Sequence, residues 1–195
     1  MNTMKNLRHY IILFVSIASF VSVEGQTVSV RNNLLYDVTL SPNLSIDFKI
    51  DSLWVLGVSA GINAWDIDKA KNKKWRHVMV SPYVRYYTDS LYHKRFFGIH
   101  GVYSHYNVSG ISFPFNFYPS LKHHRRQGDL LALGGSYGYG WRLSDRWNLE
   151  AEIGLAIGYT WYKEYECQHC GSYEGKDNKV FLLPKFGLNI VYLIE

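Results

Sequence analysis

The sequence lacks any apolar run long enough to form a membrane-spanning helix. Such a helix needs about 20 apolar residues, whereas the longest apolar segment, Tyr10 to Val21, has only about a dozen. After Gln26, no segment sustains the 3.6-residue spacing of an amphipathic helix. We therefore expect no membrane-spanning helix in the chain after Gln26.

A strong charge imbalance is also missing. The formal net charge is +5 over 195 residues, which is too mild for a nucleic-acid-binding surface. We therefore expect no nucleic-acid partner.

The N-terminus is typical of a secretory signal peptide. Lys5 and Arg8 precede the apolar segment, and Val23 and Gly25 are small enough for the −3 and −1 positions of a cleavage site. We predict a signal peptide over residues 1–25 and one domain over 26–195. No cysteine lies near the cut, so a lipid anchor is not indicated, and an uncleaved anchor is the alternative.

The clearest pattern in the chain is strict alternation across residues 148–161. Successive strand side chains point to opposite faces. One face is small, polar or charged, whereas the other is apolar and consists of Leu149, Ala151, Ile153, Leu155, Ile157, Tyr159 and Trp161. The aromatic content of 16% suits strands that cross two membrane–water interfaces.

The same pattern predicts eight strands: 27–36, 43–50, 54–64, 78–87, 96–106, 130–142, 148–161 and 180–192. Short turns at 51–52, 89–94 and 144–146 alternate with longer polar loops at 66–76, 107–129 and 163–179, as in outer-membrane barrels. Proline at 82 and 184 predicts bulges near the rim. We therefore predict an all-β protein, an eight-stranded antiparallel transmembrane β-barrel with up-and-down topology, in the cell outer membrane. A soluble periplasmic lipocalin-like binder is an alternative.

The inward faces of these strands carry charge. An eight-stranded barrel is just wide enough for its side chains to fill it, and buried charges persist only when paired. We predict an interior ionic network of Arg85, His100, Arg142, Glu150, Glu152 and Lys185. The alternative is a general acid/base pair formed by Glu150 and Glu152.

Cys167 and Cys170 form one C-x-x-C motif in the last long loop. In an exported chain we predict a disulfide that braces the loop. A zinc site completed by histidine from this or another loop is the alternative, and no thioredoxin-like scaffold supports a redox role.

Two of the predicted outer loops are basic. Clustered lysine and arginine attract multivalent anions such as lipopolysaccharide phosphates, although solvated loops are the simpler explanation. The candidate anion-contacting residues are Lys71, Lys73, Lys74, Arg76, Lys122, Arg125 and Arg126.

An enzyme at the barrel rim would need a nucleophile and a base. His105 and Tyr103 fall on the lipid-facing side near the outer end of one strand, and Ser109 follows. Without a third residue to orient the histidine, the pattern does not predict catalysis. A lipid A-modifying hydrolase is kept as the alternative to a non-enzymatic role.

Seven segments together resemble a family of small outer-membrane barrels of unknown function from Gram-negative gut and oral anaerobes. They are Arg31-Asn32-Asn33-Leu34-Leu35-Tyr36-Asp37, Ser41-Pro42-Asn43-Leu44, Lys74-Trp75-Arg76-His77, Pro82-Tyr83-Val84-Arg85-Tyr86, Gly138-Tyr139-Gly140-Trp141, Arg146-Trp147-Asn148-Leu149-Glu150 and Tyr165-Glu166-Cys167. The resemblance implies an exported barrel often encoded beside fimbrial or other surface-assembly proteins, with no established activity. We expect a non-enzymatic surface or scaffold protein without cofactors that contacts outer-membrane lipid and lipopolysaccharide. Fimbrial or other envelope proteins are its candidate protein partners.

Overall fold

The computed structural model describes residues 28–68, 72–111, 121, 124–166 and 171–194. The predicted signal peptide lies outside these residues. In the described ranges the elements are β1 Val28–Asn33, α1 Leu34–Val38, β2 Asn43–Lys49, β3 Trp54–Asn63, β4 Asp66–Asp68, β5 Lys73–Tyr87, β6 Lys94–Ser109, β7 Arg125–Arg142, β8 Trp147–Tyr165 and β9 Tyr173–Ile194. Within the described part of the chain, no helix has the length and apolar character needed to cross a bilayer.

The sheet closes on itself. Its strand order is β3-β2-β1-β9-β8-β7-β6-β5-β4, and β3 also pairs with β5. Eight strands therefore form a continuous hydrogen-bonded ring, and short β4 extends from β5. All pairings are antiparallel, and the first and last strands meet where Val28 pairs with Ile194 and Asn33 with Asn189. The predicted all-β antiparallel architecture is confirmed.

Short connections lie at one end of the ring and longer ones at the other, as predicted. Residues 50–53, 88–93 and 143–146 make the short turns, and both described termini lie at that end. We refer to it as the turn end. The opposite end, which we call the loop end, is where β1, β3, β6 and β8 end and where β2, β5, β7 and β9 begin, with longer intervals of sequence between them.

Several predicted boundaries are wrong. β7 begins at Arg125 rather than 130 and β9 at Tyr173 rather than 180, because backbone pairing continues beyond the apolar alternation. The end of the first predicted strand is the helix α1, which starts where the Asn33 side chain accepts a hydrogen bond from the Leu35 N–H at 3.1 Å.

Side chains alternate between the two faces of the ring. On β8, the outward-facing Ile153 and Ile157 are 57% and 65% exposed, whereas the inward-facing Glu150 and Glu152 are 0% and 6% exposed. Exposed large apolar side chains continue around β2, β3, β5, β6, β7 and β9. In water-soluble proteins, charged side chains are mostly exposed and large apolar side chains are mostly buried. The ring shows the opposite distribution.

Outward aromatic residues concentrate near both ends of this apolar surface. At the turn end, the Trp54 and Tyr86 rings are 5.0 Å apart and the Trp147 and Tyr192 rings 4.8 Å apart. Near the loop end, the exposed aromatic residues include Tyr103, Tyr159 and Trp161. The apolar surface is therefore a belt bordered by two aromatic bands.

The two strand prolines are accommodated without the predicted rim bulges. Pro82 lies where the β5–β6 ladder is interrupted between the pairs Val80–Tyr103 and Tyr83–His100. Next to it, the Ser81 hydroxyl donates to the Gly101 carbonyl at 2.6 Å. At Pro184, the β8–β9 register is unbroken, and β1 pairs with β9 only from Asn189 onward.

Candidate functional site

Six charged side chains meet inside the ring. Three are cations and three are carboxylates, so the cluster is neutral overall when all are ionised. They come from five strands: Arg31 on β1, Asp47 on β2, Arg85 on β5, Glu150 and Glu152 on β8, and Lys185 on β9. Each lies at an inward position of its strand, because the period of two places every second side chain inside.

Glu150 is central to this cluster. Its Oε2 lies 2.9 Å from Arg85 Nη1 and 3.5 Å from Arg31 Nε. Tyr87 donates its hydroxyl hydrogen to Oε1 at 2.7 Å. The carboxylate therefore has partners from three other groups, as a fully buried charge requires.

The flanking carboxylates extend the network in both directions. Glu152 accepts from Arg85 Nη2 at 2.6 Å and lies 2.7 Å from Lys185 Nζ. Asp47 accepts from Arg31 Nη2 at 2.5 Å and from Ser29 Oγ at 3.1 Å.

An aromatic side chain lies among the cations. Tyr83 donates its hydroxyl hydrogen to Asp47, and its ring centroid lies 4.9 Å from Arg85 Cζ and 5.6 Å from Arg31 Cζ. Lys185 Nζ is 5.8 Å from the same centroid. These distances suit cation–π attraction, which strengthens when the groups are desolvated.

Apolar residues close the turn-end side of the ring. They form a buried cluster of Val55, Tyr87, Tyr92, Phe96 and Val191. Tyr87 belongs to both this apolar cluster and the charged one, so the two are continuous. Packed side chains therefore occupy the interior of the ring at this level.

The structure brings together most, but not all, of the residues predicted for the interior. Arg85, Glu150, Glu152 and Lys185 are in the cluster. His100 is buried inside the ring, and its Nδ1 has no hydrogen-bond partner among the described residues. The placement of Arg142 was wrong: its side chain is 60% exposed and pairs with Asp145 at 2.7 Å, because it ends β7 at the turn.

Sequence reasoning missed Arg31 and Asp47. The same alternation could have found both, since Val28 and Val30 flank Ser29 beside Arg31, and Ile46 and Phe48 flank Asp47.

The basic residues predicted for outer loops lie largely on strands. Lys73, Lys74 and Arg76 belong to β5, and Arg125 and Arg126 to β7. The loop assignment was wrong because the strands extend further than their apolar alternation. Lys71 and Lys122 lie outside the described residues.

Two of these arginines have acidic partners within the chain. Arg76 pairs with Asp66 at 2.8 Å, and Arg126 pairs with Glu164 at 2.8 Å. Their charges are therefore partly neutralised before any external anion binds.

Cys167 and Cys170 lie outside the described residues, so their pairing stays a prediction. In the described part of the chain, no group of three or more histidine, cysteine, aspartate and glutamate side chains is arranged to hold a metal ion.

A second polar cluster lies on the outer surface near the loop end. Asp129 Oδ1 is 2.8 Å from His105 Nδ1 and accepts the Tyr103 hydroxyl hydrogen at 2.9 Å. Asp129 is the orienting group that sequence reasoning missed. Ser109 is fully buried and donates to the Asn72 carbonyl at 2.5 Å, so it does not serve as a nucleophile for His105.

Beyond the apolar belt, Asp177 lies at the loop end of β9. It accepts hydrogen bonds from the Asn178 backbone N–H at 2.8 Å and from the Tyr162 hydroxyl at 3.0 Å. These hydrogen bonds favour the ionised form, so they hold the pKa of the Asp177 carboxyl below its usual value.

The chain matches the model of a known protein family. The model of a family described as "Protein of unknown function (DUF3575)" matches residues 11–194. No curated protein and no solved structure matches the chain.

Proposed function

Since the chain belongs to the DUF3575 family of proteins of unknown function, we propose its role from its own residues. It is an eight-stranded outer-membrane β-barrel with a filled interior and a non-enzymatic surface or scaffold role. The single observation that carries this proposal is an apolar outer belt around a buried, neutral charge cluster.

The belt has the dimensions of a membrane. From Leu149 to Tyr159 there are ten residue steps, or about 33 Å along the strand at 3.3 Å per residue. At a tilt of about 40° this becomes about 25 Å of depth, equal to the apolar band of outer-membrane barrels. Aromatic bands at both borders support the same assignment.

Because the interior is filled, we assign the functional surfaces to the ends of the barrel. A buried network of paired charges leaves little room for solute passage, and an eight-stranded barrel is narrow. The longer connections all lie at the loop end, which would face the cell exterior if the termini lie in the periplasm. These connections are the surfaces through which envelope or fimbrial components would bind.

Replacing Ile153 by arginine tests the membrane assignment. A charge near the bilayer midplane costs a barrel about 2–4 kcal/mol, so we expect Ile153→Arg to reduce the amount of assembled protein in outer-membrane fractions. Assembly is measured by the heat-dependent shift in gel migration of folded barrels.

Asn178→Arg is the matched control because Asn178 is an exposed residue two positions beyond the belt residue Val180. We expect near-normal assembly of this variant. Recovery of the wild-type chain in the soluble periplasm would overturn the proposal and favour a lipocalin-like binder. Equal assembly of both variants would contradict the outward facing of Ile153 in lipid.

A second function, hydrolysis of an outer-leaflet lipid at the rim, is favoured by the His105–Asp129 contact. A carboxylate that holds one imidazole nitrogen leaves the other free to act as a base. Water would then be the nucleophile, because Ser109 is buried elsewhere. Mass spectrometry of lipid A from cells with wild-type protein, His105→Gln or no protein tests this, and identical lipid profiles would exclude it.

A further inference from the structure

Two lysines lie directly opposite each other on the outer surface of the ring. Lys163 of β8 pairs in register with Lys176 of β9, and both are exposed. Side chains at such positions have Cβ atoms about 5 Å apart, and like charges placed there repel. No acidic side chain among the described residues forms an ion pair with either one.

The row continues with a third hydrogen-bond donor. Gln127 of β7 is the register partner of Lys163 on its other side. Asp129, Trp161 and Asn178 form the adjacent row toward the belt, and the Asp129 carboxylate there is already held by His105 and Tyr103. Two ammonium groups and one amide therefore stand side by side at the outer edge of an aromatic band.

An apolar notch lies below this row on the same three strands. It forms where Gly135 has no side chain, between Tyr137, Leu155, Pro184 and Phe186. From Lys163 to Leu155 there are eight residue steps, or about 26 Å along the strand. On the proposed membrane placement, the notch lies near the bilayer midplane, where acyl chains of the outer leaflet end.

We propose that Lys163, Lys176 and Gln127 bind the phosphate group of an outer-leaflet lipid whose acyl chain occupies the Gly135 notch. The inference rests on the proposed membrane location and adds a specific partner to it. A phosphate between the two lysines relieves their repulsion, and the distance from the lysine row to the notch suits a lipid of ordinary chain length. The complementary charge and the apolar notch together select a lipid over free phosphate.

Native mass spectrometry of the purified full-length protein in neutral detergent tests this site. Dioleoyl phosphatidic acid, dioleoyl phosphatidylcholine and inorganic phosphate are the three probes. We expect retention of phosphatidic acid, weaker retention of phosphatidylcholine and none of phosphate. The double variant Lys163→Gln/Lys176→Gln should bind phosphatidic acid about tenfold more weakly, because both cations are lost.

Two further variants separate the lipid site from general charge. The control Lys94→Gln/Lys179→Gln also removes two cations, but Lys94 lies at the turn end and Lys179 at an inward position beside Asp177. It should bind like wild type. Gly135→Phe should weaken binding without changing charge, and the nearest atom to an added Cβ there is 3.8 Å away.

Equal losses in the control and test pairs, or wild-type binding by the test pair, would overturn the inference. So would unchanged binding by Gly135→Phe, or equal retention of the three probes. These outcomes are separate from the membrane test. A chain found in outer-membrane fractions that retains no phosphatidic acid contradicts only the lipid site, whereas a chain found in the periplasm contradicts the proposed function as well.

Discussion

Glu150 shows how single residues stabilise the interior. Its carboxylate is fully buried and contacts Arg31, Arg85 and Tyr87. Removing one member of a buried ion pair is costly because the remaining charge stays desolvated without its partner.

We expect Glu150→Gln to lower the free energy of unfolding by about 3–5 kcal/mol, since it leaves two guanidinium groups short of one negative charge. Urea titration of the folded protein in detergent, followed by tryptophan fluorescence, measures this change. Lys94→Gln is the control, because Lys94 and Asp89 form a half-exposed pair at 3.0 Å. Such pairs contribute about 0–1 kcal/mol, so similar losses in both variants would contradict the interior network.

For single residues, the sequence predicts which face of a strand a side chain lies on. It predicts less well where along the strand the interior ends and which residues the side chain contacts. Alternation identifies Arg85, Glu150, Glu152 and Lys185 as inward residues, and the structure pairs them. The same alternation gives Arg142 an inward phase but carries no information on where the interior ends. Partner choice depends on the register between distant strands, such as β1 and β8, which a local pattern does not contain.

Adjacent glycines on β7 illustrate packing between elements. A Cβ added at the inward Gly134 would contact the Leu155 carbonyl oxygen and lie 2.5 Å from Ala156 Cα on β8. At the outward Gly135, the nearest atom would be 3.8 Å away. Glycine is therefore required at the first position for close approach of two strands, and not at the second.

We expect Gly134→Ala to destabilise the protein by about 1–3 kcal/mol through overpacking, whereas Gly135→Ala should be nearly neutral. Urea unfolding of the two variants makes the comparison within one strand. A larger loss for Gly135→Ala would contradict the assigned facing of β7.

Strand ends are the elements that sequence predicts least well. The apolar alternation stops near residue 130 on β7, although backbone pairing continues to Arg125. Hydrogen bonding extends a strand beyond the region where one face is apolar, so hydrophobicity marks the belt rather than the strand. The same limitation applies to α1, whose start depends on the Asn33 cap rather than on periodicity.

The alternating connections give the whole molecule a direction. All three short turns and both described ends of the chain lie together at the turn end. The proposed topology has the termini in the periplasm, so it places Ser172, just before the start of β9, outside the cell.

Cysteine labelling in intact cells tests this orientation. In a background with Cys167→Ser and Cys170→Ser, we expect Ser172→Cys to react with a large membrane-impermeant maleimide. Asp145→Cys, in the opposite turn, should react only after the outer membrane is opened. Labelling of Asp145→Cys in intact cells would contradict the proposed topology and favour the opposite orientation.

The ring is closed by the six-residue ladder between β1 and β9, which joins residues about as far apart in the chain as the fold allows. Val28 pairs with Ile194, so the ring closes only when β9 is in place, and pairings between residues this distant in the chain form slowly. A chain cut short before β9 would leave β1 and β8 with unpaired edges, and exposed edges promote aggregation. Strand β9 is therefore required both to close the ring and to leave no strand edge exposed for aggregation.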